Sequence, residues 1–345
     1  MGKGVRSSTD SLMGEENRER RKGSQIRGSL LLLLGSMIWG AAFVAQRVGV
    51  NHLEPFTFSA FRMLLGGLVM VPVVALTERD KSAPSTHTDH RLQRKAGLIC
   101  GLFLFAANSL QQVGLVYTDA GKAGFLTALY VVLVPVAGWA VFRRQSAKAV
   151  WIGVMLAVAA LFLLCVPAEG FRLESGDLML IGCAICFTGQ ILAVDAYAPQ
   201  VNGAALARDE FLVTGILSLA VALASETIRA EGLRDALLPL LYTGILSSAV
   251  GYTLQIIGQR DVNPTVASLI MCLESVFAVL SGSLLLGERM TSREAAGCML
   301  MFLAVILAQT APWFSGKLQS RSRGKRLREG AFIDGKTQEG ASMNG

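Results

Sequence analysis

Residues Leu30–Val50 read LLLLLGSMIWGAAFVAQRVGV, an unbroken apolar run whose one charge, Arg47, stands near its end. A hydrocarbon core about 30 Å thick is crossed by roughly 20 residues rising 1.5 Å each, so this run is long enough to span a bilayer once. Working outward from it, the pattern recurs nine more times. The further runs are Phe56–Leu76, Ala96–Tyr117, Ala120–Phe142, Ala149–Val166, Leu178–Val194, Leu206–Ser225, Leu240–Gly258, Val266–Leu286 and Ala295–Trp313. The seventh is the least apolar, because Arg208, Asp209 and Glu210 crowd its start. The fold class expected is an all-α membrane protein of ten transmembrane helices.

Composition agrees. Of 345 residues, 52% are hydrophobic and 17% charged, against about 25% charged in a soluble protein. The mean hydropathy is +0.49. These values exclude an ordinary soluble enzyme and a disordered chain. A membrane β-barrel is disfavoured too, since its strands are short alternating segments. All six cysteines (Cys100, Cys165, Cys183, Cys186, Cys272, Cys298) fall inside apolar runs, which argues against a disulfide scaffold. Cys183 and Cys186 form a CxxC with no second pair and no nearby His, so packing outweighs metal binding. His87, Asp89 and His90 share a hydrophilic loop, where surface exposure outweighs a metal site.

The net charge of +7 is concentrated in tails at residues 1–27 and 315–345. Such tails belong beside anionic lipid on the cytoplasmic face rather than on nucleic acid. They are low in aromatics and are expected to be unstructured. No cleavable signal peptide is visible, because 27 polar residues precede the first run and that run is too long. With both termini cytoplasmic, inner segments hold 24 Lys and Arg and outer segments 7, with Arg62 inside a span. The chain is therefore expected in the cell membrane, multi-pass, with both tails inside.

The two halves repeat. At an offset of 144, Gln111 meets Gln255, Gly114 meets Gly258, Ala123 meets Ala267, Leu129 meets Leu273, Gly138 meets Gly282, Gly153 meets Gly297 and Leu156 meets Leu300. An offset of 148 pairs Arg62 with Glu210, Gly67 with Gly215 and Glu78 with Glu226, and 147 pairs Gly35 with Gly182. Five spans per copy is odd, so the second copy enters the membrane upside down. Inverted repeats underlie many secondary transporters, whose site lies near the midplane between the copies. The organisation expected is a basic tail (1–27), a five-helix repeat (28–168), its inverted copy (175–313) and a second basic tail (314–345).

Trp39-Gly40-Ala41-Ala42-Phe43, followed by Pro55 and Arg62, resembles the opening of the EamA family of the drug/metabolite transporter superfamily. The second half is similar through Tyr242, Ser247-Ser248, Tyr252, Leu254-Gln255, Gln259-Arg260, Pro264, Leu273-Glu274, Gly287-Glu288-Arg289 and Gly297. The resemblance covers residues 28–312. It implies a ten-helix bundle that exports or exchanges small metabolites, with spans one to four and six to nine around a central cavity and spans five and ten outside. Two departures stand out. Arg144-Gln145 occupies the place that Glu288-Arg289 holds in the second copy, and Ser275 stands where many relatives have Pro, which puts the kink of the ninth span in question.

Polar side chains inside a span are costly and usually face the bundle interior. Glu274 is the sharpest case, a carboxylate near the centre of the ninth span. Either it couples transport by binding a proton and substrate in alternation, or it is a structural carboxyl. Its repeat mate Tyr130 either donates a hydrogen bond to it or packs. Arg62 and its mate Glu210 either hold the two ends of a zwitterion or make local contacts. Trp39 walls a cavity or fills core. Asn108, Gln111, Gln112, Gln190 and Gln255 contact substrate or hold helices together. Asn263-Pro264 reads as an N-cap and first-turn proline.

No Walker lysine loop, paired-aspartate cluster or Ser/His nucleophile arrangement is visible, so no enzyme activity, cofactor or metal is expected. The partners expected are the bilayer, a small-molecule substrate and exchanging protons. Self-association into a homodimer is compatible with the sequence. The function expected is a proton-driven exporter of an amino acid or related small solute. The alternatives are an uncoupled facilitator or importer and a non-transporting membrane binding or sensing protein. The charge asymmetry is tested by reporter fusions at Ser7 and Ser342. Both should read cytoplasmic, and a periplasmic signal at either end would mean an odd number of spans.

Overall fold

The computed structural model describes residues 3–49, 51–79, 89–117, 120–143, 147–166, 175–287 and 290–310. Among the described residues, nine helices are long and apolar enough to cross a membrane: Lys22–Gln46, Pro55–Leu76, His90–Gly114, Gly124–Phe142, Lys148–Cys165, Gly176–Tyr197, Leu237–Gln259, Pro264–Leu285 and Ser292–Thr310. The helix Gly203–Ser225, with 23 residues, lies between the sixth and seventh of these and is the seventh span in chain order. Its charged second turn is tempered by an ion pair of 2.7 Å between Arg208 and Asp209. The molecule is an all-α, multi-pass membrane protein. The first helix begins at Lys3, so the N-terminal tail is not the unstructured lead that its composition suggests. Residues 3–27 hold Glu, Arg and Lys and no Pro, and extending an existing helix adds a hydrogen bond per residue with no new nucleation. The C-terminal tail, His87 and the Glu288-Arg289 and Arg144-Gln145 pairs lie outside the described residues.

Packing reveals the duplication. A Cβ on Gly67 would lie 2.8 Å from Leu212 Cδ2, and a Cβ on Gly215 would lie 2.8 Å from Leu64 Cγ. Leu64 and Gly67 are the repeat mates of Leu212 and Gly215, so the second and seventh spans fill each other's gaps reciprocally. The fifth and tenth spans do the same: a Cβ on Gly153 would come 3.0 Å from Ala304 O, and one on Gly297 would come 3.1 Å from Ala160 O. In both pairs the earlier residue of one helix meets the later residue of its mate. Equivalent helices therefore run antiparallel, which is the geometry of an inverted copy. The copies also end alike. Arg143 (φ 52) donates its N–H to Gly138 O, and Gly287 (φ 68) donates to Gly282 O, each closing a helix in the left-handed conformation.

Spans four and nine are broken at matching positions. The fourth is helical at Ala120–Ala128 and again at Tyr130–Phe142, and the ninth at Pro264–Met271 and again at Leu273–Leu286. At each junction the backbone tightens to bonds three residues back: Val132 N–H to Leu129 O at 3.0 Å and Ser275 N–H to Cys272 O at 3.2 Å. Such turns leave a carbonyl without its usual donor, and Ala128 O takes the Cys272 thiol at 3.8 Å. The ninth span thus breaks without the proline that Ser275 replaces. In the eighth span, Tyr242–Tyr252 winds as a π-helix. Among the carbonyls on this wider turn, Ser247 O accepts Trp39 Nε1–H at 3.0 Å.

Caps fix the helix ends. Asn202 accepts from Ala204 N–H and Ala205 N–H at 3.0 and 3.3 Å. Asn263 accepts from Thr265 N–H at 3.0 Å, with Pro264 in the first turn, and Asp89 caps the helix that starts at His90. Glu226, at the end of the seventh span, caps the second: its carboxylate accepts from Phe56 N–H at 2.8 Å, Thr57 N–H at 2.6 Å and Thr57 Oγ1 at 2.7 Å. The reciprocal fit of spans two and seven makes a symmetric prediction. Gly67→Leu and Gly215→Leu should each cost about 1–3 kcal/mol by overpacking, read as a lower Tm in detergent. Adding Leu212→Ala to the first, or Leu64→Ala to the second, should recover part of the loss. A large drop in one variant and none in the other would contradict the reciprocity.

Candidate functional site

A cavity lies between the copies, lined from seven spans: one, two, three, four, six, eight and nine. Five pairs of repeat mates line it: Asn108 and Tyr252, Gln111 and Gln255, Thr127 and Met271, and Tyr130 and Glu274 at an offset of 144, and Phe43 and Gln190 at 147. It is therefore built around the pseudo-two-fold axis. Its volume is about 70 Å³, room for a few waters or a small solute.

The breaks in spans four and nine place the chemistry. Tyr130 opens the second half of one broken helix and Glu274 stands second in the other, and Tyr130 O–H donates to Glu274 Oε1 at 3.3 Å across the axis. This is the one protein hydrogen bond to Glu274 among the described residues. Trp39 packs edge-to-face on Tyr252, ring centroids 5.0 Å apart, and Tyr252 on Phe211 at 5.7 Å. Gly251 gives the indole room, since a Cβ there would lie 2.7 Å from Trp39 Nε1. The π-helical turn, the glycine and the aromatic pair together form one apolar wall.

Arg62 forms part of the opposite, polar wall. It is 4% exposed, and burying a lone cation costs several kcal/mol unless hydrogen bonds compensate. Nη1 donates to Gln46 Oε1 at 3.0 Å and Nη2 to Asn108 Oδ1 at 2.7 Å, while Gln112 Nε2 shares Gln46 Oε1 at 3.3 Å. Nε has no partner. A guanidinium held at two points by neutral amides, with donors left over, is suited to an incoming carboxylate or phosphate oxygen.

Glu210 is placed differently. It is completely buried and does not line the cavity. Its Oε1 accepts from Gln190 Nε2 at 2.8 Å, and Oε2 has no partner among the described residues. Gln190 does line the cavity, and its Oε1 accepts from Gln255 Nε2 at 3.1 Å, which also reaches Gln259 Oε1 at 3.1 Å. Arg62 and Glu210 make no ion pair. Each is held by a glutamine of the preceding span, Gln46 or Gln190.

Of the residues singled out from sequence, Trp39, Arg62, Asn108, Gln111, Tyr130, Gln255 and Glu274 come together on the cavity wall, and Glu210 stands one amide behind it. Span seven therefore contributes no lining side chain, although the resemblance implied that it would. Sequence reasoning missed Phe43, Gln46, Thr127, Phe187, Ile191, Ser247, Tyr252 and Met271 as wall residues. Gln46 carried a usable signal, a polar amide inside the first apolar run. Met271 and Ile191 carried none. Cys183 Sγ lies 3.9 Å from Thr127 Oγ1 in the core.

An inverted pair of five-helix units around a small polar cavity defines a membrane transporter. The chain belongs to the EamA-like transporter family, whose sequence profile matches residues 26–166 and again 174–310. It is 30% identical to an uncharacterized transporter of Archaeoglobus fulgidus, over 82% of this chain and 86% of that one. It is 25% identical to the uncharacterized transporter YwfM of Bacillus subtilis, over 82% and 94%. It is also 24% identical to the uncharacterized inner membrane transporter YedA of Escherichia coli, over 81% and 90%. A protein crystal structure, 20% identical, matches 81% of this chain and 96% of that one with a TM-score of 0.66, a likeness of fold alone.

Arg62→Lys keeps the charge but cannot reach Gln46 and Asn108 together in a fork. If the fork is what orients a ligand, flux should fall by roughly 10–100-fold with the fold intact by thermal melting. Unchanged flux would remove the guanidinium from the site.

Proposed function

We propose that the protein exports a small amphoteric metabolite, an amino acid or related solute, across the cell membrane in exchange for protons. The observation that carries this reading is Glu274, a carboxylate on the cavity wall whose one recorded protein hydrogen bond comes from Tyr130. An ionised carboxylate in a largely desolvated site is costly, so it gains by taking up either a proton or a cationic group. The two ligands compete for one group, and competition of that kind is the simplest basis for exchange. Arg62 on the same cavity supplies a partner for the anionic end. The cavity volume favours a solute of few heavy atoms. Export is the direction that the family resemblance implies. Location in the cell membrane fits the naming of the Escherichia coli relative as an inner membrane transporter, and cytoplasmic termini fit the distribution of Lys and Arg.

The test is a screen of radiolabelled amino acids in reconstituted vesicles, with and without a pH gradient. Glu274→Gln keeps the shape of the site but cannot ionise. It should retain exchange of solute for solute and lose accumulation driven by the pH gradient. Glu274→Asp should keep partial coupling with a shifted pH optimum. If Glu274→Gln still concentrates solute against its gradient, Glu274 is structural. If the unsubstituted protein is indifferent to the gradient, it is an uncoupled facilitator.

A further inference from the structure

The cavity separates Arg62 from Glu210, repeat mates of opposite charge that both lie inside spans. Four other pairs, related by 144 residues, face each other across the axis, yet Arg62 is on the wall while Glu210 is withdrawn behind Gln190. The unmatched polar groups Gln46 and Arg62 both lie towards the end of the bundle that carries residues 51–54 and 226–236. Gln46 is three residues from the end of its helix at Gly49, and Arg62 is seven residues past Pro55. Glu210 stands seven residues past Gly203 and so lies towards the opposite end. The asymmetry belongs to one conformation. Two inverted copies can each adopt the arrangement of the other, and that exchange reverses the side to which the cavity faces.

We infer that Glu210 is a one-sided proton gate. It reaches the cavity only when the site faces the end carrying residues 198–202, and it must bind a proton there before the bundle can return to the conformation described here. The inference rests on the transport reading above but not on which residue couples it. In the opposite conformation Glu210 comes to the wall past Gln190 and Arg62 withdraws from it. A proton from water then forms an O–H bond at Oε2. Withdrawal buries a neutral acid instead of an ion. Withdrawal of the ion would leave Oε2, which has no partner here, as buried uncompensated charge costing several kcal/mol. The titratable groups within electrostatic reach are Cys100 from the third span and Tyr252 from the eighth. On its own helix, Arg208 and Asp209 pair with each other, and Arg62 of the second span makes no ion pair with it. Among the described residues no cation makes an ion pair with Glu210.

Hydrogen exchange of the full-length protein in lipid nanodiscs between pH 5.5 and 8.5 tests the gate without requiring a known solute. Raising the pH should deprotect residues 198–202 and protect residues 226–236, with the equilibrium moving at most tenfold per pH unit, the slope of a single proton. Glu210→Gln mimics the protonated acid and should hold the low-pH pattern throughout, whereas Glu274→Gln should still shift. In oriented proteoliposomes, an impermeant thiol reagent should label Arg62→Cys and Glu210→Cys from opposite faces, read by mass spectrometry of the labelled peptides. Labelling of both from one face overturns the inference. So does a Glu210→Gln protein that follows the unsubstituted pH profile, and that outcome stands even if neither cysteine variant folds. Loss of coupling by Glu274 alone would leave this result untouched, so the two proposals fail separately.

Discussion

Leu64 and Leu212 sit where side chains on Gly215 and Gly67 would have to be, and the rest of the bundle is arranged around that reciprocal fit. Lipid tails are as apolar as leucine, so no hydrophobic force drives helices together inside a membrane. What remains is close packing, interhelical hydrogen bonds and the requirement that every backbone polar group find a partner. Small residues opposite large ones meet the first condition. Because the fit is made twice by the same residues of the two copies, it sets an axis about which everything else must be symmetric. Tyr130 and Glu274 are neighbours because that axis passes between them.

The same axis explains where irregular backbone is tolerated. The broken helices at Leu129 and Cys272 sit beside the cavity, where a carbonyl freed from its helix can find a partner, and the π-helical turn of the eighth span lines the cavity with Ser247 and Tyr252 while turning Leu246 and Val250 outward. Side chains from the facing copy donate to two of these carbonyls: the Cys272 thiol to Ala128 O and the Trp39 indole to Ser247 O. Each donor crosses between the copies, so a motion of one copy against the other has to break or replace them. The polar elements of the cavity and the elements that would move are the same elements.

Much of this was legible in the sequence, for identifiable reasons. Span number, duplication and inversion follow from apolar length and from matches such as Gln111 with Gln255, which survive because each position does the same packing job twice. Glu274 and Arg62 were visible because charge in an apolar run is rare. The break at Cys272 was not visible. No proline or glycine marks it, and the tightened turn arises from contact with Ala128, 144 residues away. The withdrawal of Glu210 was equally hidden. Its sequence position is symmetric with that of Arg62, and only the packing of one conformation separates them. Helical extension of the N-terminal tail was missed because composition was weighed without the helix that it continues.

Glutamine and asparagine carry the polar contacts around Arg62 and Glu210, and their neutrality is the reason. Gln46, Asn108, Gln112, Gln190, Gln255 and Gln259, with Arg62 and Glu210, link six spans, and all six amides but Gln46 are fully or nearly fully buried. An amide donates and accepts at once, so it can bridge two groups at far lower desolvation cost than an ion. It can also turn over, exchanging donor for acceptor, without gaining or losing a proton. Charges held only by amides are not locked as they would be in an ion pair, where separating the partners leaves two uncompensated charges. Arg62 and Glu210, each bonded to a glutamine and not to each other, remain free to be re-solvated. A structural salt bridge between those two mates would have been more rigid, and it would have removed from the cavity the only side chain there that carries a permanent positive charge.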